Sequence, residues 1–366
     1  MTTDFLSLTA PGVAGLHPYQ PGKPLEELER EYAVTDAVKL ASNENPLGAG
    51  KLAIKAMHSC EQDIARYPDG SGYKLKQLLA KQLEVKTENI TLGNGSSEIL
   101  ELVARTFVTP EDEVIFSEHA FAVYPILSQA VGATAVVTPA KHWGHDLSAM
   151  RDAVTEKTRL IFVANPNNPT GTWLESKALL DFVSSIPSNV LVLIDEAYFE
   201  YVNEDDYPDT IKWLDQYQNL IITRTFSKIH GLAGLRIGYG ITHSKVADLL
   251  NRVRQPFNSN SPALAAAEAA LQDYSHINES LETNSSGMVQ LITAFEKIGL
   301  NYIPSVGNFI CVEFDQPGVE IYEALLHKGV IVRPIAVYGM PKFLRITIGS
   351  EKENSRFIQA LNDVLE

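Results

Sequence analysis

Short apolar runs that close on clusters of Gly, Asn, Asp, Ser and Pro recur through residues 40–255, and stretches with apolar residues at helical spacing separate them. The runs include ITL before GNGSSE, EVIF before SEHAFAVYP, RLIFVA before NPNNPTG, NVLVLI before DEAY, and NLIIT before RTFSK. Several show no polar alternation, as in strands buried on both faces. Strands alternating with helices predict an α/β fold, with a large domain whose mostly parallel sheet is flanked by helices. From Pro262 the pattern changes. PALAAAEAALQD opens a helical region, SLETNSSGMVQLITAFEKIG continues it after a break, and NFICVEF, GVIVRP and FLRITIG read as strands around the helix EIYEALLHKG. Ser350 and Glu353 fit a capping box for the last helix. This half reads as a smaller α+β domain. The expected division is an N-terminal arm and helix over 1–36 associated with the small domain, a large domain over 37–260, and a small C-terminal domain over 261–366.

Ligands of such sheets sit at the carboxyl ends of the strands. Ser96, Phe121, Asn168, Asp195, Tyr198 and Lys228 all fall at predicted strand ends, so they are expected to converge. The GNGSSE turn opens a helix that Ser96 or Ser97 can cap, and the N–H groups of such a helix start suit an anion. Glu98 stands where a dinucleotide fingerprint needs its third glycine, so a phosphate site fits better than that motif. Asp195 ends an apolar run, where a carboxylate is costly without a cation; it either meets one or caps the turn of helix after it. Lys228 lies in a hydroxyl-rich run with Thr223, Thr225 and Ser227, and Gly231 and Gly234 precede Arg236. An amine beside phosphate donors suits a carbonyl compound that carries a phosphate, as pyridoxal phosphate does.

Other positions are open to two readings. Phe121 and Tyr124 either stack on a flat ligand or pack the core. Asn43, in the turn SNENPLG, either contacts a ligand or bonds only the turn. Arg333 and Arg345, near strand ends of the small domain, are either surface charges or bidentate carboxylate and phosphate donors. HWGH (142–145) has two histidines but no cysteine nearby, and no metal site is expected.

Composition narrows the partners. The net charge of -15 argues against nucleic acid and anionic membrane, while a local cluster of Arg and Lys still leaves small anions open. Two cysteines, Cys60 and Cys311, give no disulfide framework, which fits a reducing compartment such as the cytoplasm. No basic flank with a long apolar run opens the chain, and no run is long enough to span a membrane. The Pro- and Gly-rich stretch APGVAGLHPYQPGKP reads as an extended arm that needs a partner surface, plausibly another subunit, with Tyr19 in it.

Taken together and in order, NPNNPTG, DEAY, TFSK and GLAGLR resemble the fold-type I pyridoxal-phosphate-dependent aminotransferases. LHPYQPGKP, ASNENPLG, RYPDG, GVIVRP and LRITIG resemble the members that act on histidinol phosphate. The resemblance covers nearly the whole chain, and it implies the cofactor pyridoxal 5'-phosphate bonded to Lys228. It implies Asp195 on the pyridine nitrogen, with Tyr198 and Asn168 on the phenolic oxygen. Phe121 stacks on the ring, and Thr225, Ser227, Arg236, Ser96 and Ser97 hold the phosphate. Many relatives carry Tyr in place of Phe121 and Asp in place of Ser97. Tyr67 reaches the phosphate from the other subunit of a homodimer whose active site lies at the interface. Lys228 moves a proton between substrate and cofactor, and glutamate and 2-oxoglutarate complete the cycle. Arg345 binds the glutamate carboxylate, and Tyr19, Arg333 and Arg345, with Asn43 nearby, take the phosphate of histidinol phosphate. An aromatic aminotransferase, a decarboxylase of threonine phosphate and a non-catalytic binding protein on this fold are the alternatives.

Overall fold

The computed structural model describes residues 3–18, 22–32 and 34–366; Tyr19 lies outside the described residues. In chain order the first strands are β1 (Val38–Lys39), β2 (Ile90–Gly93), β3 (Glu113–Ser117), β4 (Thr134–Thr138) and the hairpin of β5 (Ala140–Lys141) and β6 (Gly144–His145). They are followed by β7 (Thr158–Ala164), β8 (Leu191–Asp195), β9 (Leu220–Thr225) and β10 (Gly238–Thr242). Seven of these make one sheet in the order β2-β10-β9-β8-β7-β3-β4. β10 runs antiparallel to β2 and β9, and the pairs from β9 to β4 are all parallel.

The sheet is covered on both faces, which is why its central strands carry no polar alternation. Val192, Ile194 and Ile222 face one core; Leu191, Leu193, Ile221 and Phe162 face the other. Each fully buried aliphatic side chain contributes roughly 1.5–3 kcal/mol, so these strands fix their own register. The same alternation sorts the polar residues at the strand ends. Asp195 and Thr223, paired in register, continue the second face. Glu196 and Arg224, one residue on, turn to the opposite face and form a buried ion pair at 2.8 Å. The Arg224 guanidinium lies 3.5 Å from the centre of the Phe199 ring.

The remaining strands are β11 (Tyr302–Ile303), β12 (Phe309–Glu313), β13 (Val330–Ile331), β14 (Arg333–Pro334) and β15 (Phe343–Thr347). Four form an antiparallel sheet in the order β11-β12-β15-β14, over a separate core that includes Phe295, Ile310, Leu325, Leu344 and Phe357. β1 pairs in parallel with β13, and Leu40 joins this smaller core. Leu28, from the Leu25–Tyr32 helix, packs with Leu326 and Ile331. The Ser261–Ala270 helix does the reverse: Ala263, Ala266 and Ala267 share the large sheet's core. Packing thus carries residues 38–40 to the small unit and 261–270 to the large one, across the boundaries read from the pattern. Periodicity reveals an element but not which core receives its apolar face. The small core takes over along the long Tyr274–Ile298 helix, through Leu291 and Phe295. The last helix starts with the Ser350–Glu353 capping box. Among the described residues no helix is long and apolar enough to cross a membrane.

Candidate active site

The carboxyl ends of β7, β8 and β9 and the start of the Ser96–Phe107 helix open onto one cleft. Residues 41–44 and the small unit's Arg333, Tyr338 and Arg345 close its other side. Asp195 forms part of the floor. Its Oδ1 accepts from Thr223 Oγ1 at 3.0 Å and its Oδ2 from the Tyr124 hydroxyl at 3.1 Å. Burial pushes its carboxyl up to about 6, against these two hydrogen bonds and one from the Ala197 backbone. No cation pairs with it among the described residues. Tyr124 is fully buried, its ring stacked on Phe162 with centroids 4.4 Å apart. Phe121, one helical turn before it, meets the Tyr124 ring edge-on and lines the cleft.

Tyr198 follows Asp195 on the turn after β8 and points its hydroxyl between two amides. Asn43 Nδ2 donates to it at 2.9 Å and Asn168 Nδ2 at 3.2 Å. Asn43 is itself held from the small unit: its N–H donates to Thr347 Oγ1 at 2.9 Å, and its carbonyl oxygen accepts from Asn308 Nδ2 at 3.0 Å. Asn168, after β7, accepts on Oδ1 from Arg345 Nη1. Arg345 Nη2 donates to the Ala41 carbonyl at 2.8 Å, and its buried Nε has no hydrogen-bond partner among the described residues. Arg333 stands opposite Arg345 on the adjacent strand, so the two arginines share one face.

Lys228 follows β9. Its Nζ donates to the Ser42 carbonyl at 3.2 Å and lies 5.4 Å from the Tyr198 ring centre. Burial, then the charges of Arg345 and Arg236, push this amine down to about 8, with Glu44 and Asp195 opposing. An amine so placed is part neutral near pH 7 and exchanges protons readily.

One end of the cleft is an anion cradle. The Ser96–Phe107 helix begins after Gly95, which holds φ 83° as N-cap without any side-chain cap. The expectation that Ser96 or Ser97 caps this helix therefore fails. The positive-φ glycine takes the cap position and places Ser96 inside the helix, and among the described residues the first-turn N–H groups have no side-chain partner. Thr225 Oγ1 and Ser227 Oγ stand 3.0 Å apart. Arg236 Nη1 reaches Ser227 Oγ at 3.4 Å and the Ala233 carbonyl at 3.1 Å.

The strand ends thus bring together Ser96, Ser97, Phe121, Asn168, Asp195, Tyr198, Thr225, Ser227, Lys228 and Arg236, joined by Asn43, Arg333 and Arg345. Tyr67 does not join them: it is 83% exposed outside the cleft and stacks on Phe257. His145, of HWGH, is buried with Nε2 2.9 Å from the Ala164 carbonyl oxygen. The apolar pattern alone does not reveal that Tyr124 and Thr223 hold Asp195. Tyr124 had a usable signal, because it follows Phe121 by three residues in the turn just beyond the same strand end, where the Tyr124 N–H donates to the Phe121 carbonyl at 3.0 Å.

A buried amine just past a parallel strand shares this cleft with a buried carboxylate and an anion cradle. The chain belongs to the aminotransferase class I and II family, whose model matches residues 35–361. Histidinol-phosphate aminotransferase 1 of Nitrosococcus oceani is 58% identical over 362 residues, spanning 99% of this chain and 98% of that protein. Histidinol-phosphate aminotransferase 2 of Pseudomonas fluorescens (strain Pf0-1) is 56% identical over 367 residues, 100% of this chain and 99% of that one. Among solved structures, histidinol-phosphate aminotransferase from Sinorhizobium meliloti in complex with pyridoxal-5'-phosphate matches with a TM-score of 0.90 at 28% identity, over 98% of both chains.

Proposed function

We propose that this chain is a pyridoxal-phosphate-dependent transaminase of histidine biosynthesis. It interconverts L-histidinol phosphate and 2-oxoglutarate with imidazole acetol phosphate and L-glutamate. The observation that carries this reading is Asp195: a buried carboxylate held by the Thr223 and Tyr124 hydroxyls and the Ala197 backbone, with no cation paired to it among the described residues, placed in one cleft with the Lys228 amine and an anion cradle. Pyridoxal phosphate has the three complementary groups, a ring nitrogen able to carry a proton, a carbonyl carbon and a phosphate. When bound it supplies an electron-withdrawing ring that stabilises charge developing at the substrate α-carbon.

The chain's own residues do the rest. Asp195 would keep the proton on the ring nitrogen. Tyr198 and Asn168 would hold the phenolic oxygen, and the Phe121 face would cover the ring. Ser96, Ser97, Thr225, Ser227 and Arg236 would hold the phosphate. Lys228 Nζ would move the proton between the substrate α-carbon and the cofactor's carbonyl carbon. Arg345, already positioned by Asn168 and Ala41, meets the α-carboxylate of glutamate with its unpartnered Nε. Arg333, Arg345 and Tyr19, with Asn43 nearby, meet the phosphate of histidinol phosphate.

The protein acts as a homodimer. Tyr67 and Phe257 are stacked rings that are 83% and 45% exposed, and Leu52, Ile54 and Ile64 are exposed in the preceding segment. A second copy covers this apolar face, and Tyr67 reaches its cofactor phosphate. The free cysteines Cys60 and Cys311 fit the cytoplasm.

The test is the single-turnover half-reaction with histidinol phosphate, histidinol and phenylalanine. A large preference for the phosphorylated amine, lost in Lys228→Ala, supports the reading, because binding energy from the remote phosphate then acts at the reacting carbon. A faster reaction with phenylalanine moves the function to aromatic amino acids.

A further inference from the structure

The loop after the Ser244–Val253 helix touches two parts of the molecule that the dimer reading assigns to different active sites. Phe257 holds a left-handed backbone, φ 58°, which a bulky residue adopts rarely and at a cost. Its ring stacks on Tyr67, with centroids 4.8 Å apart and planes 23° from parallel. A Cβ on Gly70 would stand 3.2 Å from the Phe257 ring, so the turn that bears Tyr67 is fitted closely against it. Arg254 ties loop and turn again: Nη2 donates to the Gly70 carbonyl at 2.9 Å, and Nη1 to Asn258 Oδ1. Asn258 Nδ2 continues inward, donating to Glu98 Oε2 at 2.6 Å and to the Leu92 carbonyl at 3.2 Å. Glu98 also accepts the Asn94 N–H, and the Asn94 carbonyl receives Arg236 Nη2 at 3.4 Å.

We infer that residues 254–258 brace two cofactor-phosphate sites at once. Phe257 is a positioning residue for Tyr67 in the partner's site, and Asn258 is one for the helix start in its own. This rests on the dimer reading above. Two stacked rings that stand outside their own chain's core, one on a strained backbone, contribute little to the fold of that chain. Their value is stiffness: a Tyr67 already held flat loses less rotational freedom when its hydroxyl engages the phosphate across the interface. The hydrogen-bonded run through Asn258 and Glu98 does the same for the turn that leads into Ser96.

Hybrid dimers test the assignment. One chain carries Lys228→Ala, so only the other chain's site binds the cofactor through Lys228, and its release rate is followed by the absorbance of that bound form. Phe257→Ala placed in the Lys228→Ala chain should speed release roughly three- to tenfold, the worth of one aromatic pair. Placed in the intact-lysine chain it should change release by less than about twofold, within the error of such a pair's worth. Asn258→Ala should show the opposite placement dependence. Phe257→Tyr should restore slow release. Phe257→Gly relaxes the backbone, so the dimer should melt no lower while release across the interface still speeds up. Equal effects from both placements, effects confined to the wrong chain, or release that merely follows melting temperature overturn the inference. Tyr67→Phe in the same two placements separates the failures. If Tyr67 acts only from its own chain, or the holoenzyme sediments as a monomer, the dimer reading falls and this inference with it. If Tyr67 acts across the interface and Phe257 does not, only this inference falls.

Discussion

A carboxylate buried without a cation depends on whatever donors the fold can aim at it, and Asp195 has a phenol and an alcohol. Tyr124→Phe keeps the ring on Phe162 and removes one hydrogen bond to the charged form. Such bonds contribute about 1.5–3 kcal/mol, so cofactor affinity should fall by up to roughly ten- to a hundredfold, with a modest drop in the melting temperature of the cofactor-free protein. Equilibrium titration of the cofactor-free protein with pyridoxal phosphate measures this, and unchanged affinity removes Tyr124 from the site. Lys228 gives a pH prediction. The fold disfavours its ammonium form, moving it from the ordinary 10.5 to about 8. Reconstitution with the cofactor consumes the neutral amine, so its rate should rise through pH 8 and level off above. A rise that continues to pH 10 contradicts the placement of this amine. The sequence pointed to both, because Asp195 ends an apolar run and Lys228 lies in the hydroxyl-rich run that follows one. It hid Tyr124's role because a hydroxyl that reaches back from a helix to a strand end leaves no mark on either pattern.

The parallel strands were the most legible elements, since a strand buried on both faces has no reason to interrupt its apolar run. The start of the Ser96–Phe107 helix was misread, and its geometry explains why. Serines after a glycine turn look like caps, but Gly95 takes the cap position itself in an extended conformation at positive φ, φ 83° and ψ 166°, that is all but closed to other residues. A Cβ at Gly95 would lie 2.3 Å from Arg236 Nη2. Gly95→Ala therefore strains a φ of 83° and displaces the end of a flexible arginine rather than the backbone. The protein should still fold, destabilised by about 1–3 kcal/mol. It should hold the cofactor roughly tenfold less tightly, as for the loss of one charge-assisted hydrogen bond. Calorimetry of the cofactor-free and loaded forms checks both halves, and undiminished binding shows that Arg236 is not needed by the cradle.

For the whole molecule, α/β topology and the smaller α+β unit were readable, but the traffic between them was not. β1 leaves for the small sheet and the Ser261–Ala270 helix returns to the large one, because burial is decided by partners far away in sequence. Tyr67 shows the same limit at the surface, since its contact on this chain is another exposed ring. The cleft gathers Lys228, Arg236, Arg333 and Arg345 in a chain with 30 basic and 45 acidic residues. An anionic substrate therefore diffuses toward a repelling coat and feels the arginines only near the rim, within a screening length of about 10 Å at 0.1 M salt. Added salt shortens the repulsion before it weakens contacts inside the cleft. The kcat/KM for a phosphorylated amine should accordingly rise between about 10 and 100 mM salt, the reverse of an enzyme that draws its substrate in from afar. A steady fall over that range would mean that the cationic cleft projects its field beyond the acidic coat. The rise would mean that encounter, rather than grip, is where this protein responds to ionic strength.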